Sequence, residues 1–465
     1  MKPRLLSFGN FARFSKNLGA GFAIATLSVS IVSAQDGTWA ADVAGDWGVA
    51  SNWVDNVVPG GSGSTVTFSG STALRTITLD ANYTVGTLNL EGGEVTASGN
   101  RNWNLNGGGL TFDNGLNDAA LNISNRAVPG IASPITVSGN GNLTINKTGA
   151  SNVVISGGIT GAGTITTNAA SGTAVSVTGA TSYAGTWVAA SGQLNMNTAW
   201  QGSATTTVTL GVTGDATAAE LQITSSSLAA ANTITATAGG TRTLLANATS
   251  AGTVNTGNIV LDGDLTVISS TGTGTRVLNL AAASGSTITG AGGIIVGTGN
   301  NNVNLVGAAS NTGTNQVSGA NFTVSTTGSL NGSSTVVSAS RTFTLNGDYT
   351  FDIGANGVND SITGAGAVNL NGDFIFNLSL ANLTEGNIWN IVAVDTLTEN
   401  FGGSFAVANA GAVNDSGVWT FTDSGNVYEF SQSTGNLTLI SVPEPSVALL
   451  SGIALLGLLR RRRAV

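Results

Sequence analysis

Short stretches in which apolar and small polar residues alternate recur along nearly the whole chain, each bounded by Gly, Asn or Ser. Residues 87–90, 142–145 and 277–280 are examples. An alternation with a period of two places the apolar side chains on one face of a half-buried β-strand. No proline occurs between Pro134 and Pro443, so every backbone N–H group in that region can join a β-ladder. The pattern predicts an all-β protein built from many short strands.

The sequence Ile-Thr-Gly-Ala-Gly occurs three times, at residues 159–163, 288–292 and 362–366. Glycine at fixed offsets allows the sharp corners that a chain needs to turn back on itself, and internal repeats of this kind are typical of a solenoid. The spacing between repeats varies, which predicts irregular turns of roughly 20–25 residues. Roughly 300 residues wound in this way, at about 4.8 Å per turn, would form a rod on the order of 60–70 Å long.

One segment resembles a known extracellular repeat. Residues 175–186 (Val-Ser-Val-Thr-Gly-Ala-Thr-Ser-Tyr-Ala-Gly-Thr), followed by residues 190–194, resemble the autotransporter-associated β-strand repeat, in which a Thr-Gly-Ala-x-x-Tyr-x-Gly-Thr core precedes a Gly-x-Leu strand. The Ile-Thr-Gly-Ala-Gly segments match the companion coil of that family, and residues 306–314 resemble a second, less complete core. The resemblance implies a right-handed parallel β-helix, which we assign to a rod at residues 71–340.

Both ends of the central region are richer in aromatic residues than its middle. Trp39, Trp47 and Trp53 lie within residues 35–70, which we interpret as a Trp-rich N-terminal cap that covers the open end of the rod and its unpaired strand edge. The alternative is that these rings stack on sugars. Aromatic residues become frequent again after residue 340, and we interpret residues 341–441 as a C-terminal β cap.

The N-terminus has the order of features found in secretory signal peptides. Basic residues precede an apolar stretch at residues 18–32, and small residues leading up to Ala34 fit the site that a signal peptidase recognises. We therefore predict a signal peptide at residues 1–34 that is cleaved between Ala34 and Gln35. A retained N-terminal anchor is the alternative.

The C-terminal segment, residues 442–465, combines a rigid turn, an apolar run at residues 447–459 and a cationic end. The turn and the cationic end consist of Pro443, Glu444, Pro445, Arg460, Arg461, Arg462 and Arg463. In a helix the apolar run would extend about 20 Å, less than the roughly 30 Å core of a bilayer, but arginine side chains can snorkel to the interface. We predict one short transmembrane helix with its arginines in the cytoplasm; a packed C-terminal helix is the alternative.

These C-terminal residues closely resemble the PEP-CTERM sorting signal of Gram-negative bacteria. In that family the segment holds an exported precursor in the inner membrane until an exosortase-type processing protease cleaves near the Pro-Glu-Pro sequence. The resemblance implies a precursor anchored in the inner membrane, which then reaches the cell surface or the extracellular space. It also implies association with extracellular polysaccharide.

Composition excludes several classes of site. The chain has no cysteine and no histidine, so disulfides, thiolate or imidazole metal sites and Ser-His-Asp triads are excluded. Between Gln35 and Val442 there are seven basic and 23 acidic residues, a net charge of −16. Such a charge without a basic stripe argues against binding to nucleic acid.

Acidic residues occur mostly at turns. Asp262-Gly263-Asp264 and Asn371-Gly372-Asp373 are typical turn sequences, and we predict no catalytic residue, no cofactor and no metal site. Weak Ca²⁺ binding by turn carboxylates stays open, although the Gly-Gly-x-Gly-x-Asp repeat that would favour it is absent. A glycosidase would need two carboxylates about 5–10 Å apart.

Three hypotheses about function follow. The first is an exported, non-enzymatic structural or adhesion protein of the cell surface or extracellular matrix that presents a long Thr/Asn/Ser-rich face to exopolysaccharide. The alternative is a carbohydrate-active enzyme, a polysaccharide lyase or glycosidase, on a β-helix scaffold. The third is a self-assembling or adhesive protein with a protein partner.

Overall fold

The alternating segments form β-strands that wind around one core as a parallel β-solenoid. Each turn passes through up to three faces, here called faces 1, 2 and 3, and each strand pairs with its counterparts one turn away. The computed structural model describes residues 34–92, 103–124, 130–138, 141–180, 182–196, 206–224, 232–247, 252–269, 276–299, 302–395, 397 and 400–442. The predicted all-β parallel solenoid is confirmed, while its right-handed sense stays a prediction.

Face 1 extends from the first described turn to the last. Its strands are Gly37–Thr38, Thr65–Ser71, Thr87–Gly92, Ala119–Ser124, Leu143–Lys147, Thr164–Ala169, Thr186–Met196, Thr207–Leu210, Thr233–Ala236, Asn258–Leu261, Thr287–Gly290, Ala308–Asn311, Ser329–Asn331, Asp348–Asp352, Asp373–Asn377 and Ala406–Val407.

Face 2 follows face 1 in each turn. Its strands are Gly45–Asp46, Arg75–Leu79, Trp103–Gly107, Gly130–Ile131, Val153–Ile155, Ala174–Val177, Ala219–Ile223, Arg242–Ala246, Leu265–Ser269, Ile294–Val296, Asn315–Val317, Thr335–Val337, Ile362–Gly364 and Val392–Val394. The strand Thr186–Met196 belongs to both faces, because it continues through the corner at Gly192, whose φ is 64°.

Face 3 consists of two stacks. The first contains Tyr83–Val85, Leu110–Phe112, Ile135–Val137 and Ile159–Gly161, and the second contains Gly252–Asn255, Arg276–Leu280, Val303–Leu305, Phe322–Val324, Thr342–Leu345 and Ala367–Leu370. Beyond the first stack, the backbone N–H groups of Ser182 and Ala184 donate to the carbonyls of Ile159 and Gly161, both at 3.2 Å. In the described part of the chain, ten turns have a strand on face 3.

The core is a set of columns in which inward side chains stack from turn to turn. One column on face 1 pairs thirteen residues in register: Ala119, Leu143, Ile165, Trp187, Val208, Ile234, Ile259, Ile288, Ala309, Leu330, Tyr349, Phe374 and Val407. All of them are buried. Because each buried Val, Leu, Ile or Phe contributes about 1.5–3 kcal/mol, the columns supply the main stabilisation of a chain without disulfides.

The Ile-Thr-Gly-Ala-Gly repeat marks the ends of strands. Gly161, Gly290 and Gly364 have φ values of 112°, 118° and 112°, a region that side chains rarely adopt. A Cβ atom on each would lie 2.1–2.2 Å from the carbonyl oxygen of a residue one turn earlier. The three copies lie on faces 3, 1 and 2, respectively. The repeat therefore encodes a local corner and not a fixed position in the turn.

Tryptophan fills the first turns of the solenoid. Trp39 packs edge-on against Trp53 at 4.9 Å between ring centroids, and Trp47 stacks on Tyr83 at 5.0 Å. Trp39, Trp47 and Trp53 are at most 5% exposed, so the alternative that they stack on sugars is wrong. Two short 3₁₀ helices, Ala50–Asn52 and Val54–Asn56, flank Trp53 on either side.

The C-terminal end is closed by an antiparallel sheet. Its five strands lie in the order Ile388–Asn390, Asn436–Ser441, Asn426–Ser431, Val418–Asp423 and Val413–Asp415. Phe430 packs against Phe374 and Phe376, both at 5.6 Å between ring centroids. Solenoid strands continue beyond residue 340 as far as Ala406–Val407, because the aromatic residues that suggested a separate cap fill the interior of further turns.

The described residues between Ala34 and Val442 belong to one compact unit. Within the described ranges, no helix is long and apolar enough to cross a membrane. The predicted sorting residues Pro443, Glu444 and Pro445 and the four arginines at 460–463 lie outside the described residues.

Candidate functional site

Asparagines on face 1 form a hydrogen-bonded ladder across the turns. The side-chain amide of Asn89 donates to the Thr67 hydroxyl at 3.0 Å, and those of Asn122, Asn146 and Asn168 each donate to the preceding asparagine at 2.8–2.9 Å. Successive ladder residues are 33, 24 and 22 positions apart. The ladder therefore keeps the strands in register although the turns differ in length.

Threonine predominates among the outward residues of six successive strands of face 1. Their outward pairs are Thr164 and Thr166, Thr186 and Val188, Thr207 and Thr209, Thr233 and Thr235, Asn258 and Val260, and Thr287 and Thr289. All twelve side chains are at least partly exposed. We call this set the threonine grid; it carries no charge.

A groove of about 380 Å³ lies beside the grid, at the corner between faces 1 and 2. We call it the corner groove. It is lined by Asn152, Ala169, Ser171, Gly172, Thr173, Gly192, Gln193, Thr217, Ala218, Ala219, Glu220 and Thr243. Gly192 is required there, since a Cβ atom would lie 2.6 Å from the Ala169 carbonyl oxygen.

Three polar side chains form a row across neighbouring turns of the corner groove. Gln193, Glu220 and Thr243 occupy paired positions on face 2, and the Gln193 amide donates a hydrogen bond to the Glu220 carboxylate. Glu220 is the one ionisable residue among the lining residues. The groove thus offers amide, hydroxyl and carboxylate groups to a ligand rich in hydroxyl groups, while its negative charge disfavours an anionic one.

Arg242 holds the loop that forms one wall of the corner groove. It is buried, and its guanidinium donates to the carbonyls of Val212, Asp215 and Thr217 and to both the carbonyl and hydroxyl oxygens of Thr237. Burial lowers the pKa of Arg242, and the charge of Asp215 opposes that shift. Arg242 therefore fixes the position of Thr217 and its neighbours without reaching the groove itself.

Two pairs of aspartates line pockets near the C-terminal end. Asp348 and Asp373 begin neighbouring strands of face 1 and line a groove of about 330 Å³; burial, followed by the charge of Asp348, raises the pKa of Asp373. Asp352 and Asp360 line a pocket of about 320 Å³, where burial is the main cause of a raised pKa at Asp360.

The other predicted positions have structural surroundings. Gln35 pairs with Gly60 through two backbone hydrogen bonds of 2.9 and 3.0 Å, so it takes part in the backbone pairing of the described body. The carboxylate of Asp264 accepts a hydrogen bond from the backbone of Gly293 at 2.8 Å, as expected for turn chemistry. In the described part of the chain no group of three or more acidic residues is arranged to hold a metal ion.

Sequence reasoning missed the corner groove, Arg242 and the pairing of Asp348 with Asp373. The pairing of Asp348 with Asp373 could have been predicted from the sequence. Asn346 and Asn371 are one turn of 25 residues apart, and Asp348 and Asp373 follow them at the same offset. The corner groove had no such sequence signal, because its lining depends on which loops become neighbours in the folded chain.

No protein-family model matches the sequence, and no curated protein matches it. The assignment of the chain as a β-solenoid repeat protein rests on its own geometry.

Proposed function

We propose that the protein is an exported, non-enzymatic structural or adhesion protein of the cell surface or extracellular matrix that binds extracellular polysaccharide. The single observation that carries this proposal is the corner groove, whose amide, hydroxyl and carboxylate groups lie along successive turns. Extended polysaccharides present hydroxyl groups at regular intervals, which such a row can match with hydrogen bonds.

Repetition would supply the affinity. Polar outward residues such as Asn122, Asn146 and Asn168 recur on successive turns of face 1, about 4.8 Å apart. Each contact is weak, but one polymer that touches several turns gains from the high effective concentration of the next contact. The mature region's charge of −16 favours a neutral polymer over an acidic one.

The proposal includes the export route inferred from both termini. The signal peptide of residues 1–34 would be removed before Gln35. The sorting segment of residues 442–465 would hold the precursor in the inner membrane until an exosortase-type protease processes it at Pro443–Pro445.

The test is binding of residues 35–442 to the polysaccharide of the producing bacterium, measured by co-sedimentation. Ala218 is an exposed residue of the corner groove, and Ala410 is an exposed alanine in a turn near the C-terminal end. We expect Ala218→Trp to abolish binding because the indole fills the groove, whereas Ala410→Trp binds like the wild type. Absence of binding by the wild type, or equal binding by both variants, would contradict the proposal.

A second candidate function rests on Asp348 and Asp373. In-register neighbours on adjacent strands are about 4.8 Å apart, close to the roughly 5–5.5 Å that retaining glycosidases use, and the raised pKa of Asp373 suits a general acid. This candidate predicts polysaccharide hydrolysis that Asp348→Asn and Asp373→Asn each abolish, with Asp415→Asn, an exposed position, as the control. If the wild type releases no reducing ends, the candidate is wrong.

A further inference from the structure

The threonine grid is a regular two-dimensional array. Its six strands pair in register, so each outward residue faces its counterpart on the next turn, as Thr186 faces Thr207 and Thr207 faces Thr233. Neighbouring strands are about 4.8 Å apart, and residues two positions apart in one strand are about 6.6 Å apart. The side chains therefore occupy a nearly rectangular lattice of fixed dimensions.

The chemistry of the grid is nearly uniform. Nine of its twelve positions are threonine, and Val188 and Val260 have almost the same shape, so methyl groups cover every lattice position except Asn258. Threonine and valine are also stiff about χ1, which keeps these groups in place. Inward residues of the same strands, such as Trp187 and Val208, are buried and support the array from below.

We propose that the threonine grid binds ice. Ice is a partner whose oxygen atoms recur on a rigid lattice at intervals comparable to those of the grid in both directions. A flexible polymer would not need such order. Threonine hydroxyl groups can join the hydrogen-bonding pattern of the crystal surface, while the methyl groups occupy the spaces between its water molecules.

Charge supports ice over a macromolecular partner. The mature region carries a net charge of −16, yet none of the twelve grid residues is charged. An ionic partner would gain nothing from this surface, whereas an uncharged crystal plane matches it. None of the twelve grid residues is aromatic, and none of them lines the corner groove, so the two surfaces are distinct.

The test is the partition of the full-length protein into a slowly growing ice hemisphere, together with inhibition of ice recrystallisation. We expect the wild type to enter the ice. The variant Thr209→Lys/Thr235→Lys places two charges at the centre of the grid, and we expect it to stay in the liquid. Thr136→Lys/Thr160→Lys changes two exposed threonines on face 3 and should enter the ice like the wild type.

Thr209→Ser/Thr235→Ser tests the same surface without added charge. It retains the hydroxyl groups and removes the methyl groups, and we expect reduced partition with an unchanged circular dichroism spectrum. The groove variant Ala218→Trp should enter the ice normally, so a failure of polysaccharide binding is distinguishable from a failure of this proposal. Exclusion of the wild type from ice, or equal partition of the wild type and both grid variants, would overturn it.

Discussion

At the scale of single residues, a few buried polar side chains hold corners that apolar columns cannot hold. Arg242 is the clearest case, because its donors go to backbone oxygens of two different loops. Nothing around Arg242 in the sequence distinguishes it from a surface arginine. Its role depends on loops about 25–30 residues earlier, which become neighbours only after the solenoid has wound.

We expect Arg242→Ala to lower the free energy of unfolding by about 3–5 kcal/mol, because the buried Thr237 carbonyl and three part-buried carbonyls lose their charged donor. Urea denaturation followed by far-UV circular dichroism measures the loss. Arg75→Ala is the matched control. Arg75 pairs with Asp42 at 2.8 Å in a partly exposed position, where solvent screens the ion pair, so its loss should cost much less than the loss of Arg242. Equal costs would contradict the structural role assigned to Arg242.

Asp360 gives stability a pH dependence of defined sign. Burial raises the pKa of Asp360 in the folded protein, while the unfolded chain keeps a value of about 3.9. The folded state therefore binds this proton more tightly. Its contribution to stability is fully present below the unfolded pKa and is lost as pH rises through the folded pKa.

We expect Asp360→Asn to resist urea better than the wild type at neutral pH, because the variant has no partly buried carboxylate to ionise. The difference should shrink as pH falls through the folded pKa of Asp360 and should vanish below its unfolded pKa. Urea midpoints measured across the acidic range test this, with Asp415→Asn as the exposed control. A wild type that is more stable than the variant at neutral pH would contradict the assignment.

At the scale of strands and corners, the glycine repeat explains how turns of different length share one core. Strands and corners could be predicted because alternation and positive-φ glycine are local properties of the chain. The face on which a strand lies could not. Residues 159–163, 288–292 and 362–366 are identical in sequence, yet they lie on three faces, because loop length and not strand sequence decides where the chain rejoins the stack.

We expect Gly290→Ala to cost about 3 kcal/mol or more of unfolding free energy. The left-handed backbone contributes about 1–3 kcal/mol, and crowding contributes about 1–3 kcal/mol, because the new Cβ atom would lie 2.2 Å from the Leu261 carbonyl oxygen. Gly285→Ala is the control. Gly285 also has a positive φ, of 77°, but a Cβ atom added there would meet no other atom within 4 Å, so it should cost only about 1 kcal/mol. Chemical denaturation measures the unfolding free energy of both variants, and equal losses would contradict the role of crowding at Gly290.

At the scale of the whole molecule, the solenoid is a linear stack with aromatic packing at both ends. Most contacts join a turn to its immediate neighbours, so stability is distributed along the stack and not concentrated in one centre. The sequence indicated aromatic ends through composition. It could not place the border between solenoid and cap, because Phe343, Phe351 and Phe374 serve the same column packing as the aliphatic residues before them.

We expect Phe430→Ala to loosen the C-terminal end before the rest of the stack. Phe430 is fully buried against Phe374 and Phe405, and its removal should cost about 3–5 kcal/mol locally. Hydrogen exchange should then show early loss of protection in the last turns, while the turns around Ile234 stay protected. Leu380→Ala, at a side chain that is 79% exposed, should leave exchange unchanged. Uniform loss along the chain would contradict this nearest-neighbour picture.

The stacking of turns has a mechanical consequence. A force that pulls the two ends of the described body apart would peel turns away singly, starting where packing is weakest. A turn of 22 residues occupies about 4.8 Å of the axis while wound, but its chain would span about 70 Å once fully extended. The molecule would therefore lengthen stepwise under tension and dissipate work at each step, before any covalent bond is strained.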